Sequence, residues 1–147
     1  QIRQRVMYPD ASLAAVQLPD DEYGMHLGIW INEKPVSIVS LFRRGERCQF
    51  RKFATEIKQQ GKGYGSYRLQ YVEQLAKEQH AAVLWCNARV SAIAFYTRFG
   101  FSTTGAPWQK NGIDFIKMEK LLNCYYHTVS VLLTQERVCI SGLLIQK

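Results

Sequence analysis

The sequence predicts one mixed α+β domain built on a central, mostly antiparallel sheet. Three observations predict this class: short apolar runs joined by turn residues early in the chain, a strand–loop–helix–strand unit in the middle, and a hairpin pattern near residue 110. With 147 residues, the chain is long enough for one domain with a substantial core. Hydrophobic residues make up 47% and charged residues 21%, which is an ordinary globular balance.

The first strands are predicted from alternation and from turn residues. His26 to Ile31 alternates branched apolar residues with others, and residues 32–35 (NEKP) are typical of a turn. Val36 to Phe42 is apolar at both parities, which favours a central strand covered on both faces. Residues 43–46 (RRGE) predict another turn, so two antiparallel hairpin steps lead into a strand at Cys48 to Thr55.

That third strand contains an irregularity. Phe50 and Phe53 are three residues apart, so a regular strand would point them to opposite faces. A β-bulge would instead place both rings on one face. The residues alone slightly favour the regular strand, with both faces covered.

A glycine-rich loop follows and opens directly into a helix. Glycine permits tight turns and close backbone approach, and the first amides of a helix have no intrahelical partner. The helix dipole adds about half a positive charge at the same end, so the unit predicts an anion site. The loop glycines are Gly61, Gly63 and Gly65. The helical pattern puts Leu69, Val72, Leu75 and Ala76 on one face, with Arg68, Glu73, Gln74, Lys77 and Glu78 elsewhere.

The chain after this helix predicts a strand, a short helix and a hairpin. Ala81 to Cys86 reads as a buried strand, parallel to the strand before the helix because the crossover is right-handed. Ser91 is the expected N-cap of a helix over Ala92 to Phe99, and Gly100 lies where a helix ends. The last hairpin is expected to pair Phe101–Thr104 with Gly112–Met118.

Charge and cysteine content narrow the function classes. The formal charge is +7, but the basic residues are spread without a dense run, so no nucleic-acid partner is expected. The four cysteines, Cys48, Cys86, Cys124 and Cys139, form no C-x-x-C pair, so no metal site is expected. No signal peptide and no long apolar span is evident; we therefore expect a cytoplasmic protein without a membrane partner.

Two stretches of the sequence resemble one known family. Residues 60–65 (QGKGYG) resemble the Gln/Arg-x-x-Gly-x-Gly/Ala motif of the GNAT superfamily of N-acetyltransferases. Residues 92–101 (AIAFYTRFGF) resemble the A-x-x-F-Y-x-K/R-x-G-F block of the same family. The resemblance covers residues 1–120 and implies a GNAT-like domain there. It implies helices on both faces of the sheet and a bulge in the strand before the loop. The first strand of the family has no counterpart in this sequence.

The resemblance also implies a function. A GNAT member transfers the acetyl group of acetyl-CoA directly to a primary amine, here of a small molecule or a protein, and releases coenzyme A. A non-catalytic acyl-CoA-binding sensor or interaction module on the same fold is the alternative. The implied cofactor-binding residues are the backbone of Phe53, Ala54 and Thr55, the loop Gln60, Gly61, Lys62, Gly63, Tyr64, Gly65 and Ser66, and the side chains of Asn87 and Arg98.

Tyr96 is the implied catalytic residue, because a tyrosine at this motif position donates a proton to the leaving thiolate. A phenol of pKa about 10 stays protonated at neutral pH, so this role is chemically open to it. No motif identifies a general base. Glu56, Glu46 and His26 are candidates, and an amine that is already partly neutral needs only a water relay.

The chain departs from the family pattern in two places. Arg89 stands where many members have asparagine. Residues 121–147 form an extension the family does not require, with two strand-like runs. We expect this hairpin to replace the missing first strand or to pair with a second subunit, giving a homodimer, because an unpaired apolar edge invites aggregation. Residues 1–7 are expected to end a helix.

Overall fold

The computed structural model describes residues 19–122, together with the isolated positions 4, 10, 12 and 14. The helix end expected within residues 1–7 lies outside the described residues, apart from the single position 4. Of the predicted extension, only Leu121 and Leu122 are described, and Leu121 is the last residue of a strand.

In the described part of the chain, six strands form one sheet in the order β1-β2-β3-β4-β6-β5. Strands β3 and β4 are parallel and the three hairpins are antiparallel, as the sequence predicted. Strands β4 and β6 are also antiparallel neighbours. The strand bounds are β1 Met25–Ile31, β2 Lys34–Arg44, β3 Arg47–Thr55, β4 Val83–Arg89, β5 Ser102–Lys110 and β6 Ile113–Leu121. The mixed, mostly antiparallel fold class is confirmed.

Within residues 19–122, two α-helices interrupt the strands. The longer, α1, spans Tyr64–Glu78 and connects β3 to β4; the shorter, α2, spans Ile93–Thr97. The expected N-cap at Ser91 is wrong, because a 3₁₀ turn at Val90–Ala92 precedes α2 and no side chain caps it. Two more 3₁₀ turns lie at Asp21–Tyr23 and Ile57–Gln59.

Strands β4, β5 and β6 all continue beyond the ends that the sequence predicted. Strand β4 continues through Asn87 to Arg89, so Asn87 lies within the strand rather than beyond it. The β5–β6 hairpin turns at Asn111 and Gly112, whose φ angles are 52° and 72°. Two consecutive positive φ angles are the geometry of a type I′ turn, which Asn-Gly adopts readily and which matches the twist of the strands.

The core lies between α1 and one face of the sheet. The predicted apolar face of α1 is confirmed, since Leu69, Val72 and Ala76 have no exposed surface. Arg68 was expected on the polar side, but it is only 2% exposed and faces β2. It precedes Val72 by four residues, so helical spacing places it on the apolar face despite its charge.

Candidate active site

A β-bulge interrupts β3. Ile38 pairs with Ala54 and Ser40 with Arg51, so Lys52 and Phe53 together oppose the single residue between them on β2. Lys52 has a φ of 54°, in the left-handed region. The extra residue brings Phe53 onto the face of Phe50, with ring centroids 5.9 Å apart. The regular strand favoured by the residues alone is therefore wrong, and the bulge implied by the resemblance is present.

The bulge coincides with a separation of β3 from β4. The two strands pair only where Arg47–Gln49 of β3 lie beside Val83–Trp85 of β4. Beyond those residues they diverge around a cleft of about 240 Å³, lined by residues 50–55 of β3 and 86–89 of β4. Peptide groups that would pair in a continuous ladder therefore face a space that a ligand can enter.

The glycine loop borders a second, larger cleft of about 510 Å³ at the start of α1. Gly61 and Gly63 have φ angles of 76° and 85°, and no atom lies within 4 Å of where a Cβ would stand at either. Gly63 is the N-cap of α1 and provides no capping side chain, and residues 63–66 line this cleft, so the uncapped first turn of the helix lies beside it. This is the arrangement of an anion site.

The predicted cofactor-binding residues fall into three groups. Those bordering the larger cleft are Phe53, Thr55, Gln60, Gly61, Gly63, Tyr64, Gly65, Ser66 and Arg98. Ala54 and Asn87 border the smaller cleft, which also shares Phe53, Thr55 and Gln60 with the larger one. Lys62 borders neither cleft, and its Nζ donates a hydrogen bond to Gln59 Oε1 at 2.9 Å.

One hydrogen bond and one ring contact shape the larger cleft. Gln60 Nε2 donates to the carbonyl oxygen of Thr55 at 3.1 Å, which ties the loop to the end of β3. The guanidinium of Arg98 lies 5.7 Å from the centre of the Phe95 ring, within range of a cation–π contact. A cation is thereby held at the edge of the cleft that the first turn of α1 borders.

Tyr96 lies where the two clefts meet and borders both. Its ring packs in an aromatic cluster, with centroids 5.1 Å from Phe95, 5.7 Å from Phe50 and 5.9 Å from Phe101. Burial, assisted by Cys86, raises the pKa of Tyr96 well above its usual range. The phenol therefore keeps its proton at neutral pH and can serve there as a hydrogen-bond or proton donor.

None of the candidate bases borders either cleft. His26 engages both ring nitrogens, Nδ1 with Ser40 Oγ at 2.8 Å and Nε2 with the Asp21 carbonyl at 2.7 Å. The carbonyl can only accept, so Nε2 carries a proton and donates it to Asp21. Glu46 lies in the β2–β3 turn, at the end of β3 opposite the clefts, and Glu56 directly follows β3.

Sequence reasoning missed a polar cluster beside the smaller cleft. Arg51 borders that cleft, and its Nη1 donates to both carboxylate oxygens of Asp20, at 3.0 and 2.9 Å. Arg51 also lies 4.5 Å over the Phe42 ring and donates to Gln49. These contacts hold the segment before β1 against the sheet. No local sequence pattern predicts a contact between residues 31 positions apart, so sequence reasoning had no signal for the Arg51–Asp20 pair.

No group of three or more histidine, cysteine or acidic side chains that could hold a metal ion is present among the described residues. Cys48 and Cys86 are buried free thiols. Burial raises the pKa of Cys86 to about 12, so it remains protonated. In the described part of the chain, none of the helices has the length and apolar character needed to span a bilayer.

Comparison with known proteins identifies the family. A family model described as an acetyltransferase (GNAT) domain matches residues 5–122, which is most of the chain. The chain therefore belongs to the GNAT family of acetyltransferases, and the resemblance of the two motifs is confirmed. The uncharacterized N-acetyltransferase YitI of Bacillus subtilis (strain 168) is 27% identical over 132 residues, covering 83% of this chain and 89% of its own length.

Solved structures share the fold at low sequence identity. The ribosomal-protein-S18-alanine N-acetyltransferase of Escherichia coli has a TM-score of 0.68 and 20% identity, over 88% of this chain and 89% of its own. A GNAT family acetyltransferase of Elizabethkingia anophelis, solved with acetyl-CoA bound, has a TM-score of 0.65 and 20% identity, over 82% and 88%. At this identity the likeness concerns the fold.

Proposed function

We propose that this protein is an acetyl-CoA-dependent N-acetyltransferase that moves the acetyl group directly to a primary amine of a small molecule or a protein. One observation carries the proposal: the gap between β3 and β4 joins the cleft at the start of α1, and Tyr96 borders both. A long ligand with phosphates at one end and a reactive group at the other fits this layout.

The residues present fit acetyl-CoA. No atom lies within 4 Å of a Cβ position built at Gly61 or Gly63, so phosphate oxygens have room to approach the backbone. The first amides of α1 and the positive end of its dipole favour an anion at that point. Arg98 supplies a charged group at the edge of the same cleft.

The pantetheine arm is assigned to the gap between the strands. The backbone of Phe53–Thr55, released from pairing with β4 beyond Gln49, offers donors and acceptors along the arm. Asn87, on the facing strand, offers a side-chain amide to the same gap. We assign to a main-chain amide near the bulge the role of holding the carbonyl oxygen, where a fixed donor would stabilise developing negative charge.

When bound, acetyl-CoA supplies an acetyl group activated as a thioester. Tyr96 Oη holds a proton beside the junction of the two clefts and delivers it towards sulfur as the thiolate leaves. Loop residues 60–66 and the backbone of β3 hold the reactants in position, which supplies much of the rate in a transfer between two bound groups. Because no candidate base borders the clefts, water is assigned to remove the proton from the amine.

Calorimetric titration with acetyl-CoA tests the proposal. Gly63→Glu places a negative charge at the phosphate end of the cleft and a side chain at a positive φ, so micromolar binding by the wild type should be lost. Gly45→Glu is the matched control. Gly45 also has a positive φ, of 60°, and open surroundings, but lies in the β2–β3 turn away from both clefts.

The two variants separate the possible results. Loss of binding in folded Gly63→Glu with retention in Gly45→Glu supports the assigned phosphate site. Absence of binding by folded wild-type protein contradicts the proposal. Tight binding without transfer to any amine favours the non-catalytic alternative, a sensor or interaction module.

A further inference from the structure

Arg68 is the single charged residue among the buried residues of the described chain. Its side chain is 2% exposed, in the second turn of α1, and it faces the inner side of β2. Its neighbours on this helix face are Leu69 and Val72, which are fully buried. A charged group at such a position is uncommon, because removing a charge from water is costly unless it is paired.

Arg68 is only partly satisfied in this position. Its Nη2 donates a hydrogen bond to the carbonyl oxygen of Ser37. Its Nη1 has no hydrogen-bond partner, and none of the described carboxylates contacts the guanidinium. Burial lowers the pKa of Arg68 to about 9, so the group is still charged at neutral pH. An apolar side chain of similar volume would stabilise this part of the core at least as well.

A series of hydrogen bonds, linked through the residues Ser37 and Thr55, leads from Arg68 to the glycine loop. Ser37 Oγ donates to the Ala54 carbonyl at 3.1 Å and lies 2.7 Å from Thr55 Oγ1. The Thr55 carbonyl in turn accepts from Gln60 Nε2 at 3.1 Å. These contacts join α1, β2, the end of β3 and the loop, and both Thr55 and Gln60 border the two clefts.

We propose that Arg68 is a positioning residue that holds the start of α1 at a fixed place relative to the end of β3 and so keeps the glycine loop preformed. The proposal rests on the proposed function, since a preformed loop serves binding of a phosphate-bearing cofactor. The guanidinium does not reach the cofactor clefts itself; it acts through Ser37 and the end of β3. Hydrogen bonds within a low-dielectric interior are directional, which an apolar contact is not.

A purely structural role and a positioning role make opposite predictions for Arg68→Met. Methionine fills a similar volume and removes the unpaired buried charge, so the urea midpoint should be unchanged or higher. The loop should nonetheless loosen, and amides of residues 60–66 in the free protein should exchange about tenfold faster. Affinity for coenzyme A should fall by a similar, about tenfold, factor.

The experiment measures amide hydrogen exchange in free protein and calorimetric binding of coenzyme A, for Arg68→Met, Arg68→Lys and Gln74→Met. Gln74 is exposed on the same helix, so its methionine variant controls for a general change in α1. Lysine can still donate to the Ser37 carbonyl and should partly restore slow exchange. Ser37→Ala removes the hydroxyl contacts but keeps the Arg68 hydrogen bond to the backbone. It takes the place of Arg68→Met in the exchange measurement if Arg68→Met does not fold.

Faster exchange confined to residues 60–66, in a variant as stable as wild type, supports the positioning role. Unchanged exchange in that segment overturns it, as does equal loosening in Gln74→Met. Because exchange is measured without ligand, these results hold whether or not coenzyme A binds. Failure of the wild type to bind coenzyme A would count against the proposed function alone.

Discussion

Deleting Lys52 should straighten β3 and close the gap that the proposed function requires. With the bulge removed, Arg51 would be followed directly by Phe53, and both residues would keep the faces of the sheet that they have now. The core contacts of Phe53 with Phe50 are therefore expected to survive. The strand, however, would no longer bend away from β4, and the parallel ladder could continue past Gln49.

The sizes of the effects follow from the backbone. Lys52 has a φ of 54°, a region that costs an L-residue about 1–2 kcal/mol. The deletion relieves that cost and adds ladder hydrogen bonds of roughly 0.5–1.5 kcal/mol each, so the folded protein should not lose stability. Loss of two backbone hydrogen bonds to a ligand, at the same value each, weakens binding by about 5- to 150-fold.

Calorimetric affinity for coenzyme A and urea denaturation measure the two quantities together. Lys52→Gly is the control, because it keeps the bulge and relieves the positive φ. It should gain roughly 0.5–1 kcal/mol, since glycine's own flexibility offsets part of the relief, and it should bind as the wild type does. A deletion variant that is folded and binds coenzyme A as tightly as the wild type would refute the reasoning.

Three further predictions concern stability and reactivity. Gly65→Ala should stabilise the protein by roughly 0.5–1 kcal/mol in urea denaturation, since a Cβ there meets Phe53 at an ordinary 3.7 Å; a loss would contradict this. Burial raises the pKa of Glu73, but hydrogen bonds from Lys120 and Lys77 outweigh it and lower the pKa overall. Glu73→Gln should therefore cost about 1 kcal/mol at pH 7. That cost should disappear as the pH falls through the pKa of Glu73 in the folded protein. A carboxyl group with a lowered pKa stabilises the fold only while it is ionised, above that pKa. A cost that persists at pH 2 would contradict this account. Cys86 should resist alkylation in native protein at pH 8, by mass spectrometry, because its pKa is about 12; rapid labelling would contradict its burial.

Elements with local sequence signals could be predicted. The apolar face of α1 repeats at helical spacing, so it was found from a short window of sequence. The last hairpin was also predicted, but its first strand was expected to end at Thr104, whereas β5 continues to Lys110 and the chain turns at Asn111 and Gly112. The two motifs were sufficient to identify the family. Features fixed by distant partners were harder to predict: the bulge at Lys52 depends on how β3 pairs with β2, and from the residues alone the regular strand was preferred.

Two errors show why chemistry and spacing must be weighed together. Arg68 was assigned to the outer side of α1 because of its charge, although its spacing from Val72 places it inward. Ser91 has the right side chain for an N-cap. The chain enters α2 through a 3₁₀ turn, however, and no side chain caps that turn or α2. The position of Arg68 could therefore be read from its spacing, whereas the 3₁₀ turn before α2 has no comparable signal in the sequence.

The most direct test of the proposed function is acetyl transfer itself. Wild-type protein and Tyr96→Phe are incubated with acetyl-CoA and a panel of primary amines, including a peptide with N-terminal alanine, and released thiol and acetylated product are measured. Phenylalanine keeps the aromatic packing of Tyr96. The account predicts amine-dependent thiol release by the wild type and a loss of about 10²–10⁴-fold in the variant. Equal rates for folded wild type and Tyr96→Phe would contradict the role given to the tyrosine, and binding without transfer to any amine would contradict the enzyme.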